Sequence, residues 1–243
     1  GAAALDHLIP YVQLADEKGA FSGAQGIPPI LSRIGDPRAL PGLEKAARSP
    51  NPLLRSSAVR AYTQMVAALD RTKEKRSVLE QLALQELRES RANRARAHVA
   101  SSHDDATILQ AALTQVSDLH LSNSFLIIDT LTPSIKLMAL HQSLKDEGEA
   151  RNNAIEVLEN VLKGDLRNEV LVTIRALAGE DLGDLEDSVA SVLSEGCSNW
   201  VRIGALYAAG HQSVTPPDGL AEDLCHPHPV VRETALDALR TIA

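Results

Sequence analysis

The sequence predicts an all-α fold built of stacked helix pairs, and three observations predict it. Hydrophobic residues make up 44% of the chain while aromatic residues make up only 2%. A core must therefore be built from Leu, Ala, Val and Ile, which pack helix on helix, whereas β architectures normally draw on more aromatic residues. Gly and Pro gather in punctuating clusters, GDP (35–37), SPNP (49–52), TPP (215–217) and HPHP (226–229), which divide the chain into helical lengths. The third observation is an internal repeat, which also argues for one domain spanning 1–243.

Taken in order, GAFSGAQGIPP (19–29) has no G-x-G-x-x-G spacing, no preceding strand and no Walker Lys-Ser/Thr pair, so it reads as an inter-helix loop open to partner contact. GDPRALPGLEKAARSP (35–50) starts a helix with Asp36 as N-cap and Pro37 in the first turn, and places Leu40 and Leu43 on one face. SPNP stops that helix, and NPLLRSSAVRAYTQMV (51–66) follows as the second member of the pair. Further helices are expected at Ser77–Glu89 with Leu79, Leu82 and Leu87, at Ala106–Val116, at Ile135–Leu144 and at Val170–Ala178, each pairing with a following helix. SSHDDAT (101–107) reads as a cap, Asp104 or Asp105 taking up the free amides of the helix that begins near Ala106. ARNNAIEVLENVL (150–162) and PVVRETALDALRTIA (229–243) are expected to be second helices of later pairs.

The repeat is seen by setting NPLLRSSAVRAY (51–62) above HPVVRETALDAL (228–239). A Pro, two apolar residues, an Arg, two variable residues, an Ala and an apolar residue coincide. The R-x-x-A core recurs at Arg94–Ala97, Arg151–Ala154 and Arg202–Ala205. Pro in the first turn fixes the entry of the helix, and residues at i, i+4, i+5 and i+8, Val231, Ala235, Leu236 and Leu239 in the last copy, form the expected buried stripe. Small Ala at its centre allows a neighbouring helix to approach closely. The Arg can reach carbonyls or carboxylates of an adjacent repeat, so Arg55, Arg151, Arg202 and Arg232 are expected to be structural ties before they are binding residues.

IGDPRALPGLEKAARSPNPLLRSSAVRAY (34–62) closely resembles a HEAT repeat of the short bacterial type, also found in phycobilisome lyase-like proteins. The resemblance implies a right-handed α-α superhelix, a HEAT-like solenoid of about six helix pairs at roughly 40 residues per repeat. Residues 126–162 resemble the HEAT region of bacterial membrane proteins related to nucleotide transporters, on Arg151, Asn153, Ala154, Glu156, Leu158, Asn160 and Leu162. That likeness implies a cytoplasmic appendage of a membrane-embedded domain. The absence of an initiator Met before GAAALDHL agrees with a piece of a longer protein.

Two cysteines, Cys197 and Cys225, make no disulfide framework, and the N-terminus has no signal-peptide pattern, which points to a reducing cytoplasmic setting. Net charge is −8, split unevenly: residues 1–103 hold 15 Lys+Arg against 10 Asp+Glu, and residues 104–243 hold 9 against 22. On a solenoid this would set Arg71, Lys73, Lys75, Arg76, Arg88, Arg91, Arg94 and Arg96 near one another at the N-terminal end, where they could meet an anionic membrane surface. Nucleic acid is disfavoured because the chain is acidic and no aromatic residues interleave the basic runs RTKEKR and RESRANRAR.

No catalytic, cofactor-binding or metal-ligating residue is assigned. Cys225, His226 and His228 cluster, but zinc needs about four such ligands at suitable spacing and Pro227 and Pro229 stiffen this one; the histidines read first as the corner between two helices. HEAT-like di-iron hydroxylases use His-Glu pairs, and no such dipeptide occurs here. The expected function is therefore a non-enzymatic protein-binding scaffold, with a lyase-like enzyme acting on a pigment-protein as the alternative.

Overall fold

The computed structural model describes residues 4–11, 24–101, 106–133, 135–144, 148–180, 197–211 and 219–242. Among them all regular structure is helical and no strand occurs. Residues 4–11 form α1, followed by α2 (Ile27–Ile34), a 3-10 turn (Pro37–Ala39), α3 (Leu40–Ala46), α4 (Pro52–Ala68), α5 (Arg76–Ala100) and α6 (Thr107–Leu131). Then come α7 (Leu137–Ser143), α8 (Glu149–Val161), α9 (Gly164–Leu177), α10 (Asn199–His211), α11 (Leu220–Asp223) and α12 (Pro229–Ile242). No helix among the described residues is long and apolar enough to cross a membrane.

Local chemistry accounts for the boundaries. Asp36 accepts from the Arg38 amide at 2.9 Å and caps the 3-10 turn that leads into α3. Asn51 caps α4 by accepting from the Leu53 and Leu54 amides at 3.0 and 3.3 Å, with Pro52 at the first helical position. The expected α3 face is formed, Leu40 and Leu43 being buried. The glycine-rich segment 19–29 is helical from Ala24 onward, because Pro28 and Pro29 fall in the first turn of α2, where missing amides cost nothing. Asp104 and Asp105 lie outside the described residues.

Two expectations are corrected. The segment read as one helix at Ser77–Glu89 and another carrying Arg94 is a single 25-residue helix, α5. The helix expected at Ala106–Val116 likewise continues to Leu131 as α6, also 25 residues. Neither stretch contains Gly or Pro, so nothing interrupts the i→i−4 ladder once it has started.

The chain falls into two compact units. The first comprises Gly1–Ser90 and Leu119–Arg175, the second Arg91–Asp118 and Ala176–Ala243, so α5 and α6 each contribute to both. In the first unit α4 packs against α2 and α3, and α7 against α8. Its core holds Leu31, Leu43, Tyr62, Met65, Leu79, Leu82, Leu87 and Phe125, all essentially inaccessible.

The core of the second unit is built from Ala97, Ala100, Leu109, Leu113, Val201, Ala205, Leu206, Ala209, Val231 and Ala235. The Ala content permits close approach. A Cβ at Gly204 would lie 2.8 Å from the Leu109 Cα, and one at Gly210 would lie 2.9 Å from the Ala238 Cα. Gly210 ends α10 beside the second half of α12, and Arg202 at the start of α10 bonds Asp223 in the segment leading into α12. The two helices therefore run parallel.

The units redistribute the charge. The first carries 18 Lys+Arg against 18 Asp+Glu and the second 6 against 14, which makes them neutral and −8. The +5 and −13 halves of the sequence do not survive as units, because the acidic stretch 119–175 joins the basic N-terminal segment.

Candidate functional site

The R-x-x-A cores form the polar framework. Their alanines, Ala58, Ala97, Ala154, Ala205 and Ala235, are all buried to 3% exposure or less. The spacing alone is insufficient: Arg175 and Ala178 share it, yet Ala178 is exposed.

The two aligned copies share a turn in atomic detail. In the first, the Arg55 Nε donates to the Ser49 carbonyl at 2.6 Å, and the Asn51 amide donates to the Ser49 hydroxyl oxygen at 3.1 Å. In the second, the Arg232 guanidinium donates to the His226 carbonyl at 2.7 Å, and the His228 amide donates to the His226 Nδ1 at 3.1 Å. His226 thus stands where Ser49 stands. Each takes an Arg six residues on with its carbonyl and an amide two residues on with its side chain, so both orphan groups of the turn are satisfied.

This geometry gives His226 a part in the helix-entry turn. The lone pair of His226 Nδ1 is occupied, and burial together with the nearby Arg202 charge holds its pKa below the ordinary imidazole value. Among the described residues no group of three or more His, Cys, Asp or Glu is placed to hold a metal ion. Cys225 is exposed, whereas burial pushes the pKa of the Cys197 thiol up.

The remaining arginines tie helices together. Arg151 donates to the Ile174 carbonyl at 3.2 Å, joining α8 to α9, and Arg94 donates to the Leu177 carbonyl at 3.3 Å. Arg202 Nε bonds the carboxylate of Asp223, which is 2% exposed. Several expected basic residues lie against acids: Arg71 by Glu74 at 3.8 Å, Arg76 by Glu80 at 2.9 Å and Arg88 by Glu169 at 3.6 Å. Arg71, Lys73, Lys75, Arg76 and Arg88 belong to the first unit, and Arg91, Arg94 and Arg96 to the second.

Sequence reasoning missed a buried polar cluster in the first unit. Glu86, 1% exposed, accepts from the Asn123 amide at 2.8 Å, lies 2.9 Å from His120 Nδ1 and receives the Arg55 guanidinium at 3.4 Å. Ser56 extends it by donating to Asn123 Oδ1 at 2.9 Å. The cluster joins α4, α5 and α6 through saturated hydrogen bonds, which makes it a registration device for three helices. It was hidden because its partners lie 31 to 37 residues apart in sequence.

The surface also carries a repeated feature. Two residues before the Arg, three copies place a large apolar side chain in solvent: Leu53 is 56% exposed, Trp200 66% and Val230 41%. Leu236, expected in the buried stripe, is 44% exposed, and Ala238 is buried in its place. Burying the smaller residue lets α12 approach α10.

Comparison with family models, with curated proteins and with solved structures finds no match to the chain.

Proposed function

We propose that the chain is a HEAT-like α-solenoid that acts as a non-enzymatic protein-interaction or regulatory scaffold. The observation that carries this reading is the equivalent exposure of Leu53, Trp200 and Val230. Isolated exposed apolar residues are ordinary on protein surfaces, but the same position exposed in three copies of a repeat is a regularity that chance exposure does not require. Support for the repeat itself comes from the matched turns at Ser49 and His226 and from the parallel packing of α10 and α12. The R-x-x-A arginines are engaged internally, which leaves recognition to the exposed apolar positions rather than to these cations.

We infer that this scaffold works in the cytoplasm as an appendage of a transporter-like membrane domain. The likeness of residues 126–162 to such appendages supports this, and Ala154, Leu158 and Leu162 are buried as that pattern requires. The test is quantitative affinity capture from the native cell, comparing the parent chain with the triple variant Leu53→Ser, Trp200→Ser, Val230→Ser. The expected result is a partner held by the parent and lost from a variant with unchanged helicity. Equal recovery with both would end the scaffold reading.

A further inference from the structure

Counting four and eight residues on from the Arg of each copy traces one line along its helix, because each step of four turns it by only about 40°. On α4 the line is Arg55, Val59 and Thr63, which are 5, 0 and 2% exposed. On α10 it is Arg202, Leu206 and Gly210, of which Leu206 and Gly210 are inaccessible. This is the side that α10 turns to α12: a Cβ at Gly210 would lie 2.9 Å from the Ala238 Cα, and Arg202 bonds the Asp223 carboxylate just ahead of α12. On α8 the line is Arg151, Ile155 and Glu159, all half-buried, with Arg151 held by α9. On α12 it is Arg232, Leu236 and Arg240, and all three are exposed, Leu236 by 44%.

The side by which α4 and α10 take hold of the element that follows them is therefore open on α12. The outer face of a terminal repeat is normally polar, and Leu236 departs from that. The charges beside Leu236 say what fits there. The turn bonds of these arginines do not exhaust the guanidinium: Arg55 closes its turn on the Ser49 carbonyl through Nε and also meets Glu86 of α5 through Nη1 at 3.4 Å. Arg202 likewise meets a carboxylate, that of Asp223. Arg232 closes its turn on the His226 and Pro227 carbonyls at 2.7 and 3.0 Å, but among the described residues no carboxylate pairs with it or with Arg240. Glu233 and Asp237 are exposed as well, to one side of the line.

We propose that the Arg232–Leu236–Arg240 line of α12 docks an acidic amphipathic helix of a partner protein. An apolar side chain of that helix covers Leu236, and its carboxylates meet Arg232 and Arg240 as Glu86 meets Arg55 and Asp223 meets Arg202. This deepens the scaffold reading and rests on it, naming one surface and the class of segment it accepts.

The probe is a labelled amphipathic helical peptide of Leu and Glu, read by fluorescence anisotropy with the full chain, against the same peptide with Lys in place of Glu. The Glu peptide is expected to bind, more weakly as salt is raised, and the Lys peptide to remain free. Leu236→Ser should weaken binding of the Glu peptide about ten-fold and Arg240→Gln about three-fold. Arg60→Gln, an equal change of charge at an exposed position on α4, should leave it unchanged. Leu236 and Arg240 both face solvent, so helicity measured alongside should be the same in every variant.

Binding unchanged by Leu236→Ser and Arg240→Gln would overturn the proposal, as would equal binding of the Lys peptide or an equal loss with Arg60→Gln. Self-association of the parent chain that Leu236→Ser abolishes would assign the line to a second copy and overturn it too. Failure of the peptide to bind alongside a partner captured through Leu53, Trp200 and Val230 removes this surface and leaves the scaffold. Leu236-dependent binding of the Glu peptide without any captured partner does the reverse.

Discussion

Arg232 donates to the carbonyl of His226 at 2.7 Å, six residues back along the chain, and so closes the corner between α11 and α12 in the way Arg55 closes the corner before α4. A cluster that looks in sequence like a partial zinc site is thereby a helix-entry turn whose acceptor is an imidazole.

Because His226 accepts through Nδ1, Ser at this position should preserve the turn while removing its titration. Burial and Arg202 depress the folded-state pKa below the ordinary value near 6.5, so the unfolded chain binds the extra proton. Stability should be complete above about pH 6.5 and decline as the pH falls below it through the depressed value. Urea melts of the parent chain between pH 7.5 and 5 should show this decline, and His226→Ser should show a smaller one. Identical pH profiles would remove His226 from the account.

Arg55 and Arg232 occupy equivalent positions in different surroundings, and their replacement should differ accordingly. Arg55 is 5% exposed and faces Glu86 as well as the Ser49 carbonyl. Arg55→Met strands a buried carboxylate and is expected to cost about 3 kcal/mol. Arg232 is exposed, so Arg232→Met should cost about 1 kcal/mol or less. Denaturant midpoints decide this, and equal losses would contradict the buried cluster.

Close helix contacts give a steric prediction. Gly204→Ala would set a methyl 2.8 Å from the Leu109 backbone and Gly210→Ala one 2.9 Å from that of Ala238. Each should destabilise by about 1–3 kcal/mol, although Ala is the better helix former. Ala235→Leu should overpack to a similar extent. A stabilised Gly204→Ala variant would mean that the helices do not approach as described.

The two thiols should separate under alkylation. Cys225 is exposed, while burial raises the pKa of Cys197 and keeps it protonated. Mass spectrometry after brief iodoacetamide treatment at neutral pH should find Cys225 modified well before Cys197. Comparable rates would place Cys197 at the surface.

What was legible in the sequence was what is coded locally. Asp36, Asn51–Pro52 and His228–Pro229 mark helix starts because capping and the missing proline amide act within one turn. The central alanines were legible because the R-x-x-A step falls among apolar residues at helical spacing, whereas the same step at Arg175–Ala178, at the end of α9, leaves its Ala exposed. The continuity of α5 was not, since the repeat pattern suggested a break that no Gly or Pro supplies. Nor was the Glu86 cluster: one of three Glu residues in α5, it reads as surface until distant His120 and Asn123 are folded against it. The exposure of Leu236 escaped helical periodicity because Leu236 and Ala238 flank the same stripe and packing chose the smaller.

The most direct test of the scaffold is photo-cross-linking from its repeated exposed positions. A benzophenone side chain would be placed in turn at Leu53, Trp200 and Val230, and at exposed Gln81 as a control. In the native cell, positions 53, 200 and 230 are expected to cross-link a common partner protein while Gln81 gives none. Equal yields from Gln81, or no adduct from any of the three apolar positions, would contradict the claim that the repeat presents a protein-binding surface.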